Sequence, residues 1–369
     1  MMKIPMNDLS RPYRDNQTVF DTILTKVGAS GYYLGGPYGE AFSREFAEYV
    51  GTPHCLLVGN GTDALELALR AAGVEAGDHV VTVANAGGYT TTACRLIGAV
   101  PVYADIDADT LLMDMDDAAS LVDPNVKAVV ATHLYGAVAD VEALRAKLAA
   151  QGKACPIIIE DCAQAHGASL RGQMAGSFGD LATFSFYPTK NLGAFGDGGA
   201  VLCRDEAVME RLSRLHQYGW NTRYNVAVPF GRNSRMDEIQ AAVLSARLPK
   251  LEDANGARRA VIEAYAAAAP SCVMFPKRPD QVPAAHLAVV MVDDRDGFRA
   301  HLAEREVGTD IHYPVLDCDQ AGWRDLPQVC GQLPSSRRCS ERIVSLPCFP
   351  ELTQEEISIV AEALAAYTP

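Results

Sequence analysis

From Cys55 onward, short apolar runs rich in β-branched residues alternate with stretches whose apolar positions recur at helical spacing. CLLV, HVVTVA, VPVYA, VKAVVAT and CPIIIED read as strands, and residues 62–73, 89–97, 114–122 and 138–150, with a short 162–168, read as helices between and after them. The alternation predicts an α/β fold built on a doubly wound, mostly parallel sheet. Another apolar run, LATFSF, leads into a glycine-rich exit. Helices are expected over 205–217 and 235–252, the second opened by Ser234 with Asp237 and Glu238 in its first turn. Beyond about 253 the pattern changes to proline-punctuated segments, a strand-like HLAVVMV at 286–292, a helix at 296–305 and a closing helix at 353–366, where Thr353 and Glu356 are spaced as a capping box. The expected organisation is an N-terminal arm (1–30), a large domain (31–252) and a smaller α+β C-terminal domain (253–369).

In doubly wound sheets ligands gather beyond the carboxyl ends of the strands. Here those ends carry Gly59 to Asp63, Asn85 to Thr92, His133 and Tyr135, Asp161, and Tyr187 and Lys190. Polar and glycine-rich residues thus converge on one edge, as a binding site requires. Lys190 stands out, because a lysine in a tight glycine-rich loop can be desolvated, which disfavours the ammonium form and exposes a nucleophilic amine.

Two further segments supply partners. VGNGTDALELAL places a glycine turn before a helix N-terminus, a ready site for a single phosphate. Gly59, Gly61 and Ala64 also match the G-x-G-x-x-A dinucleotide fingerprint, which leaves an NAD-dependent oxidoreductase as a distant alternative. That fingerprint wants an acidic residue closing the next strand, whereas Asp78 precedes HVVTVA and Ala84-Asn85 ends it. In IEDCAQAH, Asp161 ends an apolar strand and its neighbour Glu160 must point to the opposite face. A lysine for an imine, a buried carboxylate for a pyridinium proton and a helix N-terminus for one phosphate are together what pyridoxal phosphate requires.

Composition removes several other classes. The chain has 32 Lys and Arg against 46 Asp and Glu, a net charge of −14, and no basic run, which argues against a nucleic-acid partner. No apolar run reaches 18 residues, and the polar opening MMKIPMNDLSRPYRDN lacks the apolar core of a secretory signal, so no membrane association is expected. Ten scattered cysteines without CxxC pairs suit buried thiols in a reducing cytoplasm, with neither a disulfide frame nor a metal site.

The motifs GGPYGEAFSREFAEYVG, VGNGTDALELALRA, GAVPVYADID, IEDCAQAHGA, TFSFYPTKNLGAFGDGGA, GRNSRMDEIQAAVL, DIHYPV and SLPCFPEL resemble, over nearly the whole length, the DegT/DnrJ/EryC1/StrS sugar aminotransferases of fold type I. The resemblance implies that Lys190 forms the imine with the cofactor, Asp161 holds the pyridinium and Gln164 bonds the ring hydroxyl. It implies that Gly61, Thr62 and Ser185 are phosphate ligands, that Asp63 also belongs to the cofactor site, and that Asn233 is a ligand contributed by the other subunit of a homodimer. The place of the usual ring-stacking aromatic holds Gly87; Tyr89, two residues on, is the substitute. Tyr33, Tyr187, Trp220, Arg223, Tyr224, His312 and Tyr313 are substrate candidates, while His166 in its AHGA turn is expected to be structural. The implied reaction moves an amino group from an amino acid, L-glutamate in the family, by way of pyridoxamine phosphate to a nucleotide-linked 3- or 4-keto hexose. A ketocyclitol is the alternative acceptor. Deoxygenating relatives carry His at this Lys, so Lys190 points to transamination.

Overall fold

The computed structural model of the chain describes residues 4–369. Its central sheet contains β1 (His54–Val58), β2 (His79–Val83), β3 (Val100–Ala104), β4 (Val126–Thr132), β5 (Ile157–Asp161), β6 (Leu181–Ser185) and β7 (Gly199–Cys203) in the order β1-β7-β6-β5-β4-β2-β3. Only β7 runs antiparallel to its neighbours; β2 to β6 pair in parallel. The two-residue strand Val329–Cys330 joins the β3 edge in parallel, so the C-terminal third completes this sheet.

Strands buried on both faces read as continuous apolar runs, and their period of two divides them between two layers. Val81, Val129, Ala131 and Ile158 enter one core. Val80, Ala128, Val130 and Ile159 enter the other, against helix Gly61–Ala71. The same alternation sends Glu160 and Asp161 to opposite faces.

A third core forms around the antiparallel pair Ala288–Met291 and Ile343–Leu346, with Tyr265, Phe298 and Phe349. Ile4 is buried in it and bridges to Val307. Helices Ser10–Asp15 and Gln17–Ser30 occupy the expected arm. The closing helix is Gln354–Ala365, with the capping box of Thr353 and Glu356 formed.

Two expected elements differ, and one helix was not expected. Residues 162–168 form turns, because Asp161 Oδ1 accepts from Ala163 N at 3.1 Å and Gly167 adopts φ +82°. The helix expected at 235–252 begins at Glu238 and ends at Arg247; Ser234 does not cap it but is buried against Asp63. A single 3₁₀ turn then leads into helix Leu251–Ala268, which carries the chain across the 252/253 boundary.

Candidate active site

The carboxyl ends of β1, β5 and β6 open into a cavity of ≈ 880 Å³ lined by Gly61, Thr62, Asp161, Gln164, Ser185 and Lys190. At one end lies the N-terminus of helix Gly61–Ala71. Asn60 caps it, its Oδ1 accepting from Asp63 N at 2.8 Å. The remaining N–H groups of the first turn have no intrahelical acceptor. A Cβ on Gly61 would lie 2.7 Å from Ser185 Cβ, and one on Gly199 would lie 2.4 Å from Asn60 O. Both glycines let β6 and β7 press against the turn, forming a cradle of N–H groups and the Ser185 hydroxyl.

Asp63 lines the cavity, but its carboxylate is already engaged by Ser234 Oγ at 2.6 Å and Arg232 Nη2 at 3.0 Å. Its hydrogen bonds hold the 232–234 segment to this helix. Arg232, which also pairs with Glu66, lines the cavity too. GRNSRM points to Asn233 as a site residue, but the charge beside it, Arg232, was not among the candidates.

Lys190 follows β6 in a turn closed by its N–H donating to Tyr187 O at 2.8 Å. Its ammonium has no hydrogen bond or ion pair among the described residues. Burial lowers its pKa to about 8, with Asp161 pulling the other way. Asp161 is itself buried; desolvation raises its pKa, while the Ala163 N–H and the charge of Lys190 oppose the rise. Glu160, on the other face, accepts from the N–H groups of Gly176, Phe178 and Gly179 and meets His133 Nε2 at 2.7 Å. His133 Nδ1 accepts from Ala139 N, so Nε2 carries the proton. Cys162 lies close to this pair, but the donor atoms of His133 and Glu160 are spent on these bonds.

Gln164 has a fixed orientation. Its Oε1 accepts from Tyr135 N at 2.7 Å, so Nε2 faces the cavity, where it donates to Tyr313 Oη at 3.1 Å. Tyr89 opens helix Tyr89–Ile97 and lies edge-on to Tyr313, with ring centroids 6.2 Å apart. The space above Gly87 is taken by Tyr313: a Cβ there would sit 2.8 Å from its ring. A Cβ on Gly88 would likewise strike Trp323. The departure noticed in the sequence thus makes room for aromatics from the C-terminal third.

Tyr187 and His312 also line the cavity, and His312 Nδ1 is tied to Ser345 Oγ at 2.8 Å. His166 is fully buried against Phe184 and Phe186, with burial lowering its pKa to about 3. Tyr33, Trp220, Arg223, Tyr224 and Asn233 do not line the cavity. Residues 220–226 make a hairpin whose tip is exposed, with Arg223 stacked on Tyr224 at 4.9 Å. Asn233 is also exposed. Arg258 and His286 line the cavity as well and were not singled out from the sequence.

An unpaired desolvated lysine, a buried carboxylate and a cradle of N–H groups and the Ser185 hydroxyl at a helix N-terminus fit pyridoxal phosphate at its aldehyde, ring nitrogen and phosphate. Residues 15–365 match the DegT/DnrJ/EryC1/StrS aminotransferase family. The erythromycin biosynthesis sensory transduction protein EryC1 of Saccharopolyspora erythraea is 38% identical, with 99% of this chain and 100% of the relative covered. The dTDP-3-amino-3,4,6-trideoxy-alpha-D-glucose transaminase of Streptomyces venezuelae is 38% identical over 98% of this chain and 95% of its own. The crystal structure of S. venezuelae DesV superposes with a TM-score of 0.93 at 37% identity, covering 99% of this chain and 98% of that one. By fold, cavity and sequence, the chain belongs to the DegT/DnrJ/EryC1/StrS aminotransferase family of pyridoxal-phosphate-dependent transaminases.

Proposed function

We propose that the chain transfers the amino group of L-glutamate to the 3-keto group of a nucleotide-linked hexose, in amino-sugar biosynthesis, as a cytoplasmic homodimer. The observation that carries this reading is the convergence of Lys190, Asp161 and the Gly61–Ser185 cradle in one ≈ 880 Å³ cavity, roomy enough for a cofactor and a sugar ring. The S. venezuelae dTDP-3-amino-3,4,6-trideoxy-alpha-D-glucose transaminase, at 38% identity, supports the 3-position.

When bound, pyridoxal phosphate supplies an aldehyde that carries the amino group and a ring that accepts electrons. Lys190 would hold the cofactor's aldehyde through its amine, and its Nζ would be the group that takes up and returns a proton. Asp161 keeps the ring nitrogen protonated, its own carboxylate held in the charged form by that proton despite burial. Gln164 Nε2 is oriented to donate to the ring hydroxyl, and the N–H groups of Gly61 and Thr62 with Ser185 Oγ bind the phosphate. Tyr89, which lines the cavity, would cover the ring. Asn233, facing outward, completes the phosphate site of a second subunit.

EryC1 bears a regulatory name, but a regulator has no need of a desolvated Lys190 facing Asp161 across a cavity. Incubating the protein with glutamate and a panel of keto-sugar nucleotides and ketocyclitols, then identifying the aminated product by mass spectrometry, tests the reading. Amination of a 3-keto nucleotide sugar is expected; a ketocyclitol product would move the protein to a cyclitol pathway, and no product would sink the transaminase reading.

A further inference from the structure

A chain of buried polar groups runs from the C-terminal third to the residue beside Lys190. Asn255 Nδ2 donates to His166 O at 2.8 Å. Asn255 Oδ1 therefore faces Asn191, whose Nδ2 donates to it at 2.7 Å and to Ala284 O at 2.7 Å. Both acceptor carbonyls can only accept, so both amides have one allowed orientation. Asn191 Oδ1 is then left for His286 Nδ1, 2.8 Å away. An amide oxygen only accepts, so His286 Nδ1 must carry the hydrogen. In the neutral ring Nε2 is then a bare lone pair.

The ring stays neutral. Burial takes its pKa well below the usual range, and the neighbouring charges of Lys190 and Arg258 act in the same direction. Its backbone is pinned as well. Ala284 N donates to Gly136 O at 2.8 Å, Arg258 Nη1 donates to His286 O at 3.4 Å, and a Cβ on Gly136 would lie 2.6 Å from His286 N. His286 lines the cavity that holds Lys190, and Nε2 has no partner among the described residues. Unlike both ring nitrogens of His166, it is not a sealed atom without a partner.

A fixed lone pair on a cavity wall discriminates by chemistry. It repels carboxylate and ketone oxygens and pairs only with a donor. We propose that His286 is a specificity-determining residue whose Nε2 accepts a hydrogen bond from a hydroxyl of the ketone acceptor. The inference rests on the proposed function and narrows it to acceptors bearing a hydroxyl within reach of this wall. The amino donor brings carboxylates, which His286 cannot bind, so its effect is confined to one half of the reaction.

Two variants separate the ring's two edges. His286→Asn keeps a donor toward Asn191 and removes the cavity-facing acceptor. His286→Gln presents an oxygen near the former Nε2. The two half-reactions are followed separately, glutamate by the change in cofactor absorbance and the acceptor by product formation. The acceptor is the best one the wild type uses in the panel, alongside its single-deoxy analogues. For H286N, kcat/KM toward the acceptor should fall about tenfold or more, with the glutamate half-reaction within twofold of wild type. H286Q should recover most of the loss. One deoxy analogue should be poor for wild type and no worse for H286N than the parent sugar. This analogue comparison within the wild type stands even where H286N fails to fold. Equal losses in both half-reactions, or wild-type indifference to every hydroxyl, would overturn the assignment. Absence of any sugar turnover by the wild type would instead strike the proposed function itself.

Discussion

Gly61 and Ser185 meet where a side chain would forbid it: a Cβ at residue 61 would stand 2.7 Å from Ser185 Cβ. The helix N-terminus and the end of β6 therefore face one small volume between them. Gly61→Ala must push Ser185 away, at an overpacking cost of about 1–3 kcal/mol. We expect the affinity for pyridoxal phosphate, measured by absorbance titration of the cofactor-free protein, to drop about tenfold or more. Unchanged affinity would mean that the phosphate binds elsewhere.

Lys190 gives a pH prediction. Burial lowers its pKa from 10.5 to about 8, and Asp161 opposes that shift. In the cofactor-free protein the neutral amine therefore dominates above about pH 8. Between about 8 and 10.5 the folded chain binds fewer protons than the unfolded chain, so this group disfavours folding at neutral pH and the penalty fades as pH rises. Covalent capture of pyridoxal phosphate, trapped with borohydride, should increase through pH 8 and then level. Asp161→Asn removes the opposing charge and should move the midpoint lower. A midpoint above 10 in wild type would show an ordinary solvated lysine.

Gly87 combines a left-handed backbone, φ +78°, with the Tyr313 ring where its Cβ would be. Gly87→Ala adds strain of about 1–2 kcal/mol to the steric clash. It also displaces the phenol that accepts from Gln164. Calorimetry should show a lower melting temperature, and activity should fall beyond what the lost stability explains. Gly28, exposed and with open space around its would-be Cβ, is the control: Ala there should be neutral or slightly stabilising.

Glu356 joins the two chain ends. Arg11 Nη2 reaches its Oε1 at 2.6 Å, and Thr353 N donates to its Oε2 at 2.8 Å. The Arg11 hydrogen bonds take its pKa from 4.5 down to about 2. A depressed carboxylate stabilises fully above its unfolded pKa, and the contribution is lost as pH falls from about 4.5 through 2. Glu356→Gln keeps the cap but not the ion pair. It should cost about 1 kcal/mol at pH 7, and the gap to wild type in urea unfolding should close as pH drops below 4. A gap independent of pH would assign the effect to packing.

Strands β1 to β6, the mostly parallel sheet and the Lys190 loop were legible because apolar runs and glycine turns are local signals; β7, antiparallel between β1 and β6, was not. Asp161 and Glu160 separated by alternation alone. Helix Leu251–Ala268 was not legible, because its buried face carries Asn255 and Arg258, which bond His166 O and Cys348 O and break the apolar period. His286 escaped notice for a related reason: a lone histidine acquires meaning only when the fold brings Asn191 to its Nδ1. The direction of the hairpin at 220–226 was not legible either, because aromatic content says nothing of where a segment points.

The most direct measurement is borohydride reduction of the protein loaded with pyridoxal phosphate, followed by peptide mapping. A single stable adduct on Lys190, absent in Lys190→Ala, is the predicted result. An adduct on another lysine, or a Lys190→Ala protein that still binds the cofactor covalently and turns over glutamate, would contradict the account.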